Sequence, residues 1–121
     1  MNIAIIAHDK KKEQLASFCT KHAGALSRHK LFATGTTGKV LTDIGLDVHC
    51  FMSGRQGGDD QIAARIAYDE IDLLLFFRDG FSLTREGSTD SENKVLRLCD
   101  IHNVLYATNV VTAEVLINSL L

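Results

Sequence analysis

Five short polar segments carry residue types that can do chemistry, and each directly follows an apolar run. They are His8-Asp9-Lys10-Lys11-Lys12, Thr34-Gly35-Thr36-Thr37-Gly38, Ser53-Gly54-Arg55-Gln56-Gly57-Gly58-Asp59, Arg78-Asp79-Gly80 and Thr108-Asn109. In the second segment, glycines let the backbone approach a ligand closely. The helix that follows supplies unpaired N–H groups and a positive dipole end, and three hydroxyls add donors without charge. A phosphate suits that combination; a strand-to-helix turn capped by threonine is the other reading of the same residues. Ser53-Gly54 offers a second hydroxyl and another close approach to the same anion. Gly57-Gly58-Asp59 puts a carboxylate at a helix start, either as a cap or as a general base facing the bound ligand. His8 can donate to a carbonyl or phosphate oxygen, and Lys12, one turn into its helix, can reach back as a point charge. Asp79 can orient a catalytic neighbour or cap the turn at Gly80.

Other polar residues carry no such pattern. Lys10 and Lys11 read as surface charges, and His22, His29, His49 and His102 have no partner pattern. No cluster has metal-ligand spacing, so no metal is expected. Cys19, Cys50 and Cys99 are odd in number and lack a CxxC spacing, which predicts reduced, mostly buried thiols in a cytoplasmic protein. The net charge of -2 argues against nucleic acid or an anionic membrane as a partner. Any bound anion must be held by local arrangement. The opening run Asn2–Ala7 is far too short to span a bilayer, and no signal peptide is expected.

For the five segments to meet, the elements between them must bring all their ends to one side. Ile3–Ala7, Leu31–Ala33, Val48–Met52, Leu73–Phe77 and Val104–Ala107 are near-continuous apolar runs, the pattern of strands covered on both faces. Helical periodicity fills the gaps: Lys10–Arg28, Thr37–Ile44, Asp59–Glu70, Thr89–His102 and Thr112–Leu121. Thr89 and Glu92 have the spacing of a capping box. The alternation predicts one three-layer, Rossmann-like α/β domain over residues 1–121, a five-stranded parallel sheet flanked by helices with right-handed crossovers. Ligands of such sheets bind outside the carboxyl ends of the strands, where all five polar segments lie.

The blocks Ala7-His8-Asp9, Ala33-Thr34-Gly35-Thr36-Thr37-Gly38, Ser53-Gly54 with Gly57-Gly58-Asp59-Asp60-Gln61, Phe76-Phe77-Arg78-Asp79 and Ala107-Thr108-Asn109 together resemble the methylglyoxal synthase family, in its order and near its spacing. The resemblance covers nearly the whole chain. It implies a homohexamer and a cofactor-free lyase that converts dihydroxyacetone phosphate to methylglyoxal and inorganic phosphate. By position, Asp59 would abstract the C3 proton, and His8 and Lys12 would contact substrate, Lys12 at the phosphate. Thr34, Gly35, Thr36, Thr37, Ser53 and Gly54 would hold the phosphate, and Asp9 and Asp79 would line the catalytic pocket.

Three departures accompany the resemblance. The family carries a histidine, in a proline-flanked segment after the fourth strand, that helps polarise the substrate carbonyl. Here that region reads Thr84-Arg85-Glu86-Gly87-Ser88-Thr89-Asp90-Ser91, and Arg85 or Arg55 is the candidate replacement. The family's prolines around the site are absent: Ser53-Gly54-Arg55 and Asp79-Gly80 stand where it has Ser-Gly-Pro and Asp-Pro, and the chain has no proline at all. The family's C-terminal segment, whose arginine reaches a neighbouring subunit, has no counterpart before Leu121. Two function classes follow: an active lyase, favoured by Asp59, and a module that binds a phosphorylated effector without chemistry, favoured by the rewritten loop. An oligomerisation scaffold with a vestigial site is a third.

Overall fold

The structure, a computed structural model, describes residues 1–53, 56–81 and 90–121, the side chains of 90 and 91 excepted. Five strands, β1 (Asn2–Ala7), β2 (Lys30–Ala33), β3 (Val48–Cys50), β4 (Leu73–Phe77) and β5 (Leu105–Ala107), form a parallel sheet in the order β3-β2-β1-β4-β5. The helices are α1 (Lys12–Lys21), α2 (Ala23–Leu26), α3 (Gly35–Ile44), α4 (Gly58–Ala67), α5 (Asp90–His102) and α6 (Val110–Leu120). The predicted α/β class is the one observed.

The apolar runs behave as their composition dictates. β1 and β4 lie at the centre, and Ile3–Ala7 and Leu73–Phe77 are buried throughout. Alternate residues feed two cores. Ile3, Ile5, Leu73, Leu75 and Phe77 pack with Leu15 and Phe18 of α1, Leu41 of α3 and Ile117 of α6. Ala4, Ile6, Leu74 and Phe76 pack with Ile62 and Ile66 of α4 and Val95 and Cys99 of α5. These are the two outer layers of the three-layer architecture. The edge strands β3 and β5 are three residues long, and neither is buried throughout as the central strands are.

The strand order places the site. From β1 the chain steps to β2 and β3 on one side, then returns to lay β4 on the other side of β1. The crevice of such a sheet opens where the order reverses, at the carboxyl ends of β1 and its neighbours.

Several boundaries differ from the periodicity reading: α4 ends at Ala67 rather than Glu70, β3 at Cys50 rather than Met52, and three helix starts or breaks shift as well. The first helical run divides into a 3-10 turn (Asp9–Lys11), α1 and α2. At His22 the backbone leaves helical geometry (φ −106°, ψ 17°) while its ring packs on Phe18. α3 begins at Gly35 with Thr34 as N-cap, which draws the glycine-threonine segment into a helix start. α6 begins at Val110, because Asn109 Oδ1 accepts the Thr112 N–H at 3.0 Å. Of the cysteines, Cys19 and Cys99 are buried, and burial pushes both thiols up to about 12. Cys50 departs from the expectation: it is exposed, because β3 is an edge strand.

Candidate active site

Among the described residues the buried polar side chains are Thr34, Thr37, Asp59, Asp79 and Glu92. All five lie just past the carboxyl end of a strand or in the opening turns of a helix, on the side where the crevice opens. Burying polar groups costs free energy unless they are paired, so their confinement to one end marks that end as the functional one.

The cradle comes from two helix starts locked together through glycines. Thr34 leaves β2 in extended geometry and its side chain makes no capping hydrogen bond. The first intrahelical bond of α3 runs from the Gly38 N–H to the Thr34 carbonyl at 2.7 Å. The N–H groups of Thr36 and Thr37 therefore have no intrahelical acceptor, and Thr36 is exposed. The Gly35 N–H donates to the Met52 carbonyl at 3.1 Å, which ties the start of α3 to the segment carrying Ser53. A Cβ on Gly38 would stand 2.4 Å from the Cys50 sulfur, and one on Gly58 would stand 2.0 Å from the Met52 carbonyl oxygen. Gly57, at φ 108°, caps α4 in the left-handed region. Gln61 Oε1 accepts the Met52 N–H at 2.8 Å, and the Gly58 N–H donates to the Ser53 carbonyl at 2.8 Å. Ser53 is thus held between the two helix starts. An anion there would meet helix N–H groups and hydroxyls with little rearrangement.

The cation of the site is Lys12. Its ammonium donates to the Ala7 carbonyl at 2.7 Å and to Thr37 Oγ1 at 2.6 Å. Two of its three protons are used, leaving one for a ligand. Desolvation lowers its pKa, and the charge of the exposed Asp9 partly restores it. His8 ends β1. Its Nδ1 accepts the Asp79 N–H at 2.9 Å, and its Nε2 lies 2.5 Å from Glu92 Oε1. The carboxylate of Asp79 accepts the Phe81 N–H at 3.1 Å, shaping the turn at Gly80, and lies 4.0 Å from the ammonium of Lys10.

Asp59 sits in the first turn of α4 and is 7% exposed. Among the described residues, its Oδ1 is buried without a hydrogen-bond partner. Its pKa is raised, first by desolvation, then by Glu92 and Asp60, with His8 acting in the opposite direction. A buried carboxylate with an open oxygen and increased basicity can take a proton from carbon.

The structure brings His8, Lys12, Thr34, Gly35, Thr36, Thr37, Ser53, Asp59 and Asp79 to one end of the sheet. Gly54, Arg55 and Arg85, and the partner Thr89 of the expected capping box, lie outside the described residues. Two contributors went unassigned in the sequence. Glu92, read only as half of a capping box, is a buried partner of His8 from 84 positions away. Gln61, quoted only within a motif, fixes the Met52 backbone. Glu92 lies in the polar stretch Asp90-Ser91-Glu92-Asn93-Lys94 and Gln61 follows Asp59-Asp60, so neither gives a local sign of its role.

The wider resemblance can be measured. The MGS-like domain family matches residues 14–108. Methylglyoxal synthase of Caldicellulosiruptor saccharolyticus is 50% identical over 121 residues, 99% of this chain and 84% of that protein. Methylglyoxal synthase of Carboxydothermus hydrogenoformans is 48% identical, over 99% of this chain and 98% of that one. The crystal structure of methylglyoxal synthase from Elizabethkingia anophelis superposes with a TM-score of 0.89 at 40% identity, covering 98% of this chain and 78% of the other. Similarity of that extent reaches through the cradle and the buried carboxylate alike, and by it the chain belongs to the methylglyoxal synthase family.

Proposed function

We propose that this protein converts dihydroxyacetone phosphate to methylglyoxal and inorganic phosphate. The observation that carries the proposal is Asp59: a buried carboxylate with an open oxygen and raised proton affinity, set at a helix start beside the cradle. Anion binding alone would not call for a carboxylate there, since negative charge opposes it.

The chemistry assigns a task to each group. The phosphate lies on the N–H groups opening α3, on the hydroxyls of Thr34, Thr36 and Ser53, and on the remaining proton of Lys12, with Thr37 holding the lysine. Gly35 and Gly54 give the close backbone approach, Gly54 by resemblance. Asp59 removes a proton from C3, and the electron pair forms the C2–C3 enediolate. His8 supplies the donor toward the C2 oxygen as negative charge grows there. The C3 hydroxyl then gives its proton to the departing phosphate and becomes the C3 carbonyl, the C2–C3 pair moves into C1–C2, and the bond from C1 to the phosphate oxygen breaks. Phosphate departs with the bonding electrons, and the enol of methylglyoxal takes up a proton at C1 to give the product. Asp79 holds His8 through its backbone, and Asp9 keeps positive charge on Lys12. No step calls for a metal or cofactor.

Resemblance supports a homohexamer and the cysteine pattern a cytoplasmic location, both as part of the same proposal, and Val111 and Val115 of α6, 71% and 59% exposed, are apolar surface available to a neighbouring copy. Among the described residues, no helix is long and apolar enough to cross a membrane. The test is a methylglyoxal assay with dihydroxyacetone phosphate on the wild type and Asp59→Asn side by side. Release of methylglyoxal and phosphate by the wild type alone supports the proposal. Phosphate binding with no turnover in either protein refutes it and identifies an effector-binding module.

A further inference from the structure

Both ring nitrogens of His8 are engaged by the protein itself. The Asp79 N–H donates to Nδ1 at 2.9 Å. A ring nitrogen that accepts carries no proton, so the proton resides on Nε2, which faces Glu92 Oε1 at 2.5 Å. The ring also stands edge-on to Phe76, with centroids 5.5 Å apart at 88°. Glu92 is 6% exposed, on the helix whose apolar face includes the fully buried Val95 and Cys99. An apolar side chain would fill such a position without the desolvation cost of a carboxylate. The same carboxylate acts on Asp59 through space. Among the described residues the charged and titratable groups that act on Asp59 are Glu92 of α5, Asp60 of its own helix and His8 at the end of β1.

We propose that Glu92 is a positioning residue: it accepts the Nε2 proton of His8 in the resting protein and keeps the ring's single donor aimed beside Asp59, where a substrate oxygen takes it over. The inference rests on the reading of His8 as donor to the substrate carbonyl. It also gives this chain a fixed electrophile built from described residues, His8 with Asp79 on one nitrogen and Glu92 on the other, in a sequence whose 84–91 segment has no histidine.

The test compares Glu92→Gln, which keeps an oxygen able to accept the Nε2 proton, with Glu92→Ala, which does not. In the wild type and Glu92→Gln, proton–nitrogen NMR of the imidazole should show an exchange-protected, downfield Nε2 proton on His8. In Glu92→Ala that resonance should be lost. In turnover, Glu92→Ala should lose on the order of 10- to 100-fold in kcat, the cost of a misaimed group, with KM within about threefold. Glu92→Gln should recover most of the loss. A merely structural role would weaken folding in both variants and leave the split between kcat and KM unmoved. Persistence of the protected resonance in Glu92→Ala, or wild-type kcat in that variant, overturns the proposal. Should the alanine variant not fold, Glu92→Met removes the acceptor at similar length and reads the same way. The NMR comparison needs no turnover. A wild type that shows the resonance pattern but releases no methylglyoxal upholds the pair and refutes the activity.

Discussion

Replacing Asp59 by asparagine should make the protein more stable at neutral pH while removing its chemistry. The carboxylate is 7% exposed, its Oδ1 has no hydrogen-bond partner among the described residues, and the charge of Glu92 acts on it unfavourably. All three conditions penalise the ionised form in the folded state alone. An asparagine of the same shape removes the charge, and a gain of about 0.5–2 kcal/mol is expected, the range for relief of one unfavourable feature. For a domain of this size that is a rise in Tm of roughly 2–10 °C. The sign fixes the pH dependence. The folded pKa is raised above the ordinary 3.8. The unfolded chain therefore releases this proton at lower pH than the folded protein, and wild-type stability falls as pH rises from 3.8 through the raised value. The advantage of Asp59→Asn should be full at pH 7.5 and fade as pH falls toward 3.8, where the wild-type carboxyl is protonated too. Urea denaturation of both proteins at pH 7.5 and near pH 4.5 measures it, with kcat expected to fall on the order of 10³-fold. Destabilisation by asparagine at pH 7.5, or a gain that does not shrink on acidification, would falsify the account of Asp59 as a strained buried charge.

Other outcomes follow from the same geometry. The acidic limb of kcat/KM in the wild type should lie above the ordinary carboxylate range, because protonation of the raised Asp59 removes the base; a limb at or below pH 3.8 counts against it. Lys12→Met removes one charge-assisted contact of about 1.5–3 kcal/mol, so phosphate affinity by calorimetry should weaken on the order of 10- to 100-fold, and unchanged affinity would place the phosphate elsewhere. Gly58→Ala drives a Cβ to within 2.0 Å of the Met52 carbonyl oxygen and should cost about 1–3 kcal/mol together with phosphate binding. Gly80→Ala, with nothing within 4 Å and no positive φ, should change stability by less than about 0.5 kcal/mol. Equal denaturation midpoints for the two glycine variants would contradict the packing described for the cradle.

The sheet and most of the site could be read from the sequence because they follow from local rules. The runs Ile3–Ala7 and Leu73–Phe77 are apolar without alternation, which only a doubly covered central strand explains. Once strand ends are known, the segments after them are known, and Thr34–Thr37, Ser53 and Asp59 fall into place by topology. The boundaries were less legible. Gly35 and Thr36 look like a loop by propensity, yet Thr34 in extended geometry starts α3 before them. Asn109 caps α6 and moves its start to Val110, two residues before the periodicity shows. Least legible was Glu92: its partner His8 is 84 residues away, and a tertiary pair of that span leaves no periodicity to detect. The single helix read across Lys10–Arg28 divides at His22, where the backbone leaves helical geometry at φ −106° and ψ 17°, a change the apolar periodicity does not record.

The two outer strands, β3 and β5, are three residues each. An unpaired edge is a template on which a foreign strand can grow by backbone bonding alone. Edges this short offer only a few free amide and carbonyl groups before the strand ends, too few for a stable added strand. A crowded solution of this protein therefore has little means of polymerising through its sheet. Copies that meet must recognise one another by side-chain shape and charge, which confines assembly to the surfaces that selection can tune residue by residue.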